Sequence, residues 1–237
     1  MPATPRTRPE KSTLSLEAIV ATTLALVDEV GFEAVSMRRV SQALETGPAS
    51  LYVYVRDRHE LMVLAHDLAM AGVVLPDESD GDWRARLEVL VDRVVAALGS
   101  HGDIASIGLV DVPTGPHTLR VTEEMLRLLR LGGIDDAACA WAADLLGQYI
   151  ASSALEIAAR LRAQRELERT AEPGRATEAV MTAEFSARLD TVYRSLSPEV
   201  YPTIHALAPL LTGGGGGDRA SWKLRVIIDG LLAQRPQ

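Results

Sequence analysis

The chain has 237 residues, 47% of them apolar but only 4% aromatic, and a formal net charge of −8. That length allows one or two domains, and the apolar share is enough for a proper core. The acidic balance argues against indiscriminate nucleic-acid binding, no run of about 18 uncharged apolar residues is present to span a membrane, and the single Cys139 excludes an intramolecular disulfide, so a cytoplasmic protein is expected.

Residues 1–13 are polar and carry Pro2, Pro5 and Pro9, which reads as a disordered arm and not as a signal peptide. Ser15 then stands as N-cap to a helix from Leu16 to Val30. Its residues Leu16, Ile19, Val20, Thr23, Val27 and Val30 fall on one stripe, and Gly31 follows as the C′ residue. Ser36 caps a short second helix that turns Val40, Ala43 and Leu44 inward. Leu44 to Gly47 makes a four-residue turn into a third helix from Pro48 to Tyr54, where proline is tolerated in the first turn. Asp57, with Glu60 three residues later, caps a fourth helix that runs to Val74 and stops before Pro76. Beyond the charged turn at 75–82 the spacing predicts helices at 82–99, 104–112, 117–131, 135–165, 176–195, 198–211 and 219–234.

No period-2 alternation lasts more than a few residues, so the expected fold is all-α. A helix-turn-helix unit at 14–60 is followed by a larger helical domain at 61–237. Arg165 to Arg175 and Gly213 to Gly217 read as loose connections; the five glycines lack the Lys-Ser/Thr and the preceding strand that a phosphate loop needs.

The charge is unevenly distributed. Residues 1–65 hold seven basic and eight acidic side chains, leaving −7 for the remainder. Within 36–58, Arg38, Arg39, Arg56 and Arg58 face only Glu45 and Asp57, a local basic footprint on an acidic body. A short helix pair joined by a tight turn presents its second member as a rod narrow enough for the major groove of double-stranded DNA. Thr46, Pro48, Ala49, Ser50, Tyr52, Val53 and Tyr54 face outward on that rod, with Leu51 and Val55 turned back as anchors. Tyr52 and Tyr54 can donate to phosphates, Thr46 and Ser50 can reach phosphate or base, and Ala49 or Val53 can touch a thymine methyl. Arg38 suits bidentate readout of a guanine edge, while Arg58 and the helix start at Ser36 suit backbone positioning. The alternative is an all-helical small-molecule-binding module with no DNA role, in which Arg38 is a solvated charge and Tyr52 a core aromatic.

Several of these segments also carry a family pattern. Leu16 to Met70 resembles the N-terminal domain of tetracycline-repressor-like (TetR) regulators, through Asp28-Glu-Val-Gly31, Ser36-Met-Arg-Arg-Val-Ser-Gln-Ala-Leu44, Ser50-Leu-Tyr-Val-Tyr-Val55 and Arg58-His-Glu-Leu61. Leu131-Gly-Gly-Ile-Asp-Asp-Ala137 and Ser197-Pro-Glu-Val-Tyr-Pro202 resemble the ligand-and-dimer domain of the tetracycline-repressor subgroup. The resemblance implies a homodimeric transcription regulator, a repressor released from a palindromic operator by a small-molecule effector. It implies an interface from helices 135–165 and 219–234. The stripe Leu224, Ile227, Ile228 and Leu231 and the small-residue run Leu145, Gly147, Ala151, Ala154 and Ala158 would then meet a partner, unless they fill the chain's own core. Glu45 stands where the family usually has a turn glycine.

The tetracycline repressor grips a magnesium–drug chelate partly through two histidines. Here no His lies between Gly102 and Pro116, the matching position on the long helix is Gln148, and only Glu156 is retained. A hydrophobic, metal-free ligand and no cofactor are therefore expected. Asp144, Gln148 and Ser152 recur every four residues on an otherwise apolar helix. They are either a solvent-facing stripe or the polar anchors of an apolar pocket walled by Met125, Leu129 and Trp141. His59 and His66 share a helix face with no third ligand near, so no metal site is expected, and no catalytic fingerprint suggests an enzyme.

Overall fold

The computed structural model describes residues 14–170, 178–213 and 216–233. The expected arm at 1–13 lies outside them. Among the described residues every regular element is helical. In chain order these are α1 (Leu16–Val30), α2 (Met37–Ala43), α3 (Pro48–Leu51), α4 (Arg58–Ala69), α5 (Trp83–Gly99), α6 (Ile107–Val110), α7 (Pro116–Leu131), α8 (Asp136–Thr170), α9 (Glu178–Ser195), α10 (Pro202–Thr212) and α11 (Gly216–Ala233).

Local chemistry sets most helix starts. The hydroxyl of Ser15 accepts from Ala18 N at 3.2 Å, that of Ser36 from Arg39 N at 3.2 Å, and the Asp57 carboxylate from Glu60 N at 2.8 Å. Each satisfies a backbone donor that the first helical turn leaves unpaired. Glu60 folds back onto Arg56 N at 2.5 Å, one residue before the cap, so the reciprocal bond of a capping box is displaced by one position.

Ends depart more from expectation. α4 stops at Ala69 instead of Val74, and 104–112 is a 3₁₀ turn at Gly102–Ser106 followed by the single turn of α6. α8 continues to Thr170, so the first part of the supposed linker after Arg165 is helical, and the rest lies outside the described residues. Gly216 and Gly217 open α11, and Gly214 and Gly215 lie outside the description.

One apolar core runs through both halves of the chain. Ile19 and Val27 of α1 and Leu61 and Met62 of α4 belong to the same buried cluster as Leu87 and Leu90 of α5, Leu128 and Leu129 of α7 and Leu146 of α8. α5 and α8 approach closely: a Cβ on Gly99 would lie 2.9 Å from the Ile157 side chain and 3.2 Å from Ala154 O. Ala151, Ala154 and Ala158 are accordingly buried inside the chain. Leu224, Ile228 and Leu231 of α11 are buried too, with Ile227 packed beside them, and the Tyr149 hydroxyl donates to Ala220 O at 2.9 Å. Apart from the exposed Leu145 and the half-buried Gly147, the stripes expected to meet a partner thus fill the chain's own core, because burying them there removes the apolar surface from water without a second copy. Among the described residues, the large apolar side chains left outside on these helices are Trp141 and Leu145 on α8 and Trp222, Val226 and Leu232 on α11.

Candidate functional site

The helix-turn-helix closes on a Schellman turn. Thr46 N donates to Ser41 O at 2.9 Å and Glu45 N to Gln42 O at 3.1 Å, while Glu45 itself takes φ +51°. This C′ position wants a left-handed backbone, which favours glycine. Glu45 adopts it anyway, so the turn keeps its geometry and carries the strain.

On the rod beyond the turn, Leu51 and Val55 are buried as anchors, while Pro48, Ala49, Tyr52, Val53 and Tyr54 are exposed and Thr46 and Ser50 half-buried. Val53 has 81% of its surface accessible. Tyr54 differs from Tyr52: its hydroxyl donates to Leu14 O at 2.7 Å, which ties the rod to the chain just before α1. In α2 the inward residues are Met37, Val40 and Ser41, whereas Ala43 is exposed and Leu44 half-buried. Arg38 is exposed, and Ser36 uses its hydroxyl on its own helix start.

Arg58 is engaged within the chain. Its Nε donates to Val35 O at 2.7 Å and its Nη2 to Phe32 O at 2.6 Å, and the guanidinium lies over the Phe32 ring with its centre 4.8 Å away. It bolts the first turn of α4 to the segment that enters α2.

The other end of α4 meets a cavity of about 640 Å³ between α4, α5, α7 and α8, closed also by α6 and the segment after it. α7 contributes Thr118, Val121, Thr122 and Met125, and α8 contributes Asp144, Gly147, Gln148 and Ala151, each set at i, i+3, i+4, i+7 on one face. Of the expected pocket residues, Met125, Asp144 and Gln148 line this cavity. Leu129 lies fully buried outside the lining, Trp141 is 76% exposed, and the exposed Ser152 donates to Tyr149 O at 3.0 Å. Four residues advance a helix by about 400°, so a spacing of four drifts some 40° per step and leaves the face.

His66 and Asp67 sit side by side on α4 and do opposite things. His66 lines the cavity, is 4% exposed, and its Nδ1 has no hydrogen-bond partner among the described residues. Burial holds its pKa down to about 4, with the neighbouring Asp67 charge opposing the shift. It is a neutral imidazole with a nitrogen to offer. Asp67, also buried, accepts from Thr118 N, Thr118 Oγ1 and His117 N and so caps α7. In the sequence His66 is only half of an insufficient metal pair; its place among the buried Met62, Ala65 and Ala69 is the signal that it faces inward.

At the cavity rim, His59 Nε2 lies 2.8 Å from Asp111 Oδ2, which with the Val112 backbone N–H holds the Asp111 carboxyl below the usual range. Gln148 donates to Asp144 Oδ2 at 3.1 Å. Among the described residues no three His, Cys, Asp or Glu side chains converge on one point. His66 is the one imidazole of the lining and Gln148 occupies the α8 position, so the donor set does not fit a magnesium–drug chelate held by two histidines. No helix among the described residues is long and apolar enough to cross a membrane.

Comparison with known proteins places this arrangement among relatives. Residues 75–235 match the family model described as tetracyclin repressor-like, C-terminal domain. The transcriptional repressor DrrR1 of Streptomyces coeruleorubidus is 30% identical over 237 residues, covering 96% of this chain and 82% of that protein. Structurally, ActR of Streptomyces coelicolor in its apo form superimposes with a TM-score of 0.77 at 31% identity, covering 94% of this chain and 98% of ActR. ActR has also been solved in complex with actinorhodin, with a TM-score of 0.77, 32% identity and coverage of 94% and 97%.

Proposed function

The chain belongs to the tetracycline-repressor-like (TetR) family of transcription regulators, and from that premise we propose a homodimeric repressor that a small, largely apolar, metal-free molecule releases from a palindromic operator. It works in the cytoplasm, where its DNA is. Residues 14–60 form the reader and 61–237 the effector and dimer body, with two readers set on half-sites about one helical turn apart. Arg38 reads a base edge, Thr46, Pro48, Ala49, Ser50, Tyr52 and Val53 contact the groove and its phosphates, and the Ser36 helix start and Tyr54 fix the backbone. The dimer is made by α8 and α11 through their outward residues Trp141, Leu145, Trp222 and Val226, which are exposed in the single chain.

The observation that carries this reading is the span of α4. Arg58 at its start holds the Phe32–Val35 segment of the reader, and His66 and Asp67 near its end face the cavity and the first turn of α7. A ligand that binds His66, Gln148 and Asp144 better when α4 has shifted favours the conformation with mis-spaced readers, and lowers operator affinity by no more than that difference in affinity.

Fluorescence anisotropy with the DNA upstream of the chain's own gene tests it. The expected result is binding at least about 10³-fold tighter than to scrambled DNA of the same length, at fixed salt. Equal affinity for the two sequences overturns the regulator reading.

A further inference from the structure

The cavity next to α4 has an electrostatic bias that its apolar walls conceal. Its lining includes two carboxylates, Asp111 and Asp144, and no lysine or arginine. His66 brings no compensating charge at neutral pH, because burial of its ring keeps the imidazole neutral until the pH falls to about 4. Asp144 spends Oδ2 on Gln148 and keeps Oδ1 without a partner among the described residues. Asp111 is held ionised by the His59 ring and the Val112 N–H. His66 itself lines the cavity, and its buried Nδ1 has no hydrogen-bond partner among the described residues. The apolar part of the wall includes Val94, Leu98, Val121, Met125 and Ile150, with Thr118 and Thr122 of α7 beside them.

We propose that this cavity selects organic cations, molecules with an apolar body and a protonated amine, over acids of the same body. The proposal rests on the reading of the cavity as the effector site. The apolar body fills the space between α5, α7 and α8, its polar edge pairs with His66, and the ammonium points to Asp144 at the rim. An acid placed the same way meets two carboxylates in a lining that holds no lysine or arginine to pair with it. Asp144 is exposed, so solvent screens the attraction, and a preference of about tenfold is expected.

Dansylcadaverine and dansyl-6-aminohexanoic acid share an apolar fluorophore and a flexible chain and differ in the charge at the tip. Titrated into the full chain at about pH 7.5, where the amine is protonated, with EDTA present, the amine is expected to bind about tenfold more tightly. Asp144→Asn should reduce that ratio and Asp111→Asn should reduce it further. Gln148→Lys, which places a cation in the lining, should reverse it. All three positions are exposed, so folding is not at stake. Operator binding by the apo protein is measured on the same samples. A chain that binds its operator but takes the acid as well as the amine, prefers the acid, binds neither, or keeps its preference in Gln148→Lys overturns the cation selectivity alone. A chain that fails to bind operator overturns the regulator reading instead.

Discussion

Asp67 supplies the cap that α7 lacks: its Oδ1 accepts from Thr118 N at 2.8 Å and from Thr118 Oγ1 at 2.9 Å, across 51 residues of sequence. The residue at the N-cap itself is Gly115, which has no side chain to offer. A Cβ there would stand 2.2 Å from the Asp67 carboxyl carbon, so the glycine makes room for the carboxylate that replaces its own missing cap. The negative charge also faces the positive end of the α7 dipole. This one carboxylate joins the helix that holds the reader to a helix that lines the cavity.

Asp67→Ala should therefore cost about 1–3 kcal/mol of stability, the loss of a cap plus the exposure of buried donors. Gly115→Ala should be damaging as well, through the clash, whereas Gly115→Ser should fail to act as a substitute cap for the same reason. Urea denaturation of the three variants checks this. A wild-type midpoint for Gly115→Ala would show that the carboxylate is not confined as described.

Glu45→Gly should stabilise the chain and tighten DNA binding. Relief of the left-handed backbone at φ +51° is worth about 1 kcal/mol, less part of that for the extra freedom of glycine when unfolded. Removing a carboxylate beside the DNA-facing surface adds an electrostatic gain that shrinks as salt rises. Thermal melts and operator titrations at two salt concentrations separate the two effects. A variant less stable than wild type would contradict the strain.

Arg38 and Arg58 should fail in different ways. Arg38 is exposed and its side chain makes no hydrogen bond or ion pair among the described residues, so Arg38→Ala should leave stability unchanged, cost about 1–3 kcal/mol of operator binding and relax preference at one position. Arg58 spends two donors on Val35 O and Phe32 O. Arg58→Ala should lower stability by about 1–3 kcal/mol and weaken binding to all sequences without lowering the salt slope, since no phosphate contact is lost. A slope reduced by about one for Arg58→Ala would return it to the phosphate-contacting role.

His66 sets an acid limit. In the unfolded chain its imidazole takes up a proton near pH 6.5, and in the folded chain only near 4. Its contribution is therefore fully present above pH 6.5 and is lost as the pH falls from there to about 4, reaching roughly 3 kcal/mol. His66→Gln should show a smaller stability loss between neutral pH and pH 4 than wild type does. Denaturant titrations across that range give the difference, and parallel curves for the two proteins would exclude the buried neutral ring.

The sequence by itself determined where most helices begin and what the first four do. Ser15, Ser36 and Asp57 cap within three residues of themselves, and the stripe from Ile19 to Val27 needs only helical periodicity to declare its buried face. The outward residues of the rod were legible for the same reason, because Leu51 and Val55 fix its inward side. Only the tertiary structure decided what depends on which surface lies opposite. Helical periodicity turns His66 inward with Met62 and Ala69 but does not say what it or Asp67 will meet; about 100° of helical rotation sends one to the cavity and the other to α7. Leu224, Ile228 and Leu231 read equally well as an interface or a core, and α8 settled the question by lying against them. Arg58 reads from the sequence as a cation for DNA, and the fold brings Phe32 and the carbonyls of residues 32 and 35 within its reach. Caps and stripes are properties of a few neighbouring residues, whereas a side chain's use is fixed by groups that the fold brings from elsewhere in the chain.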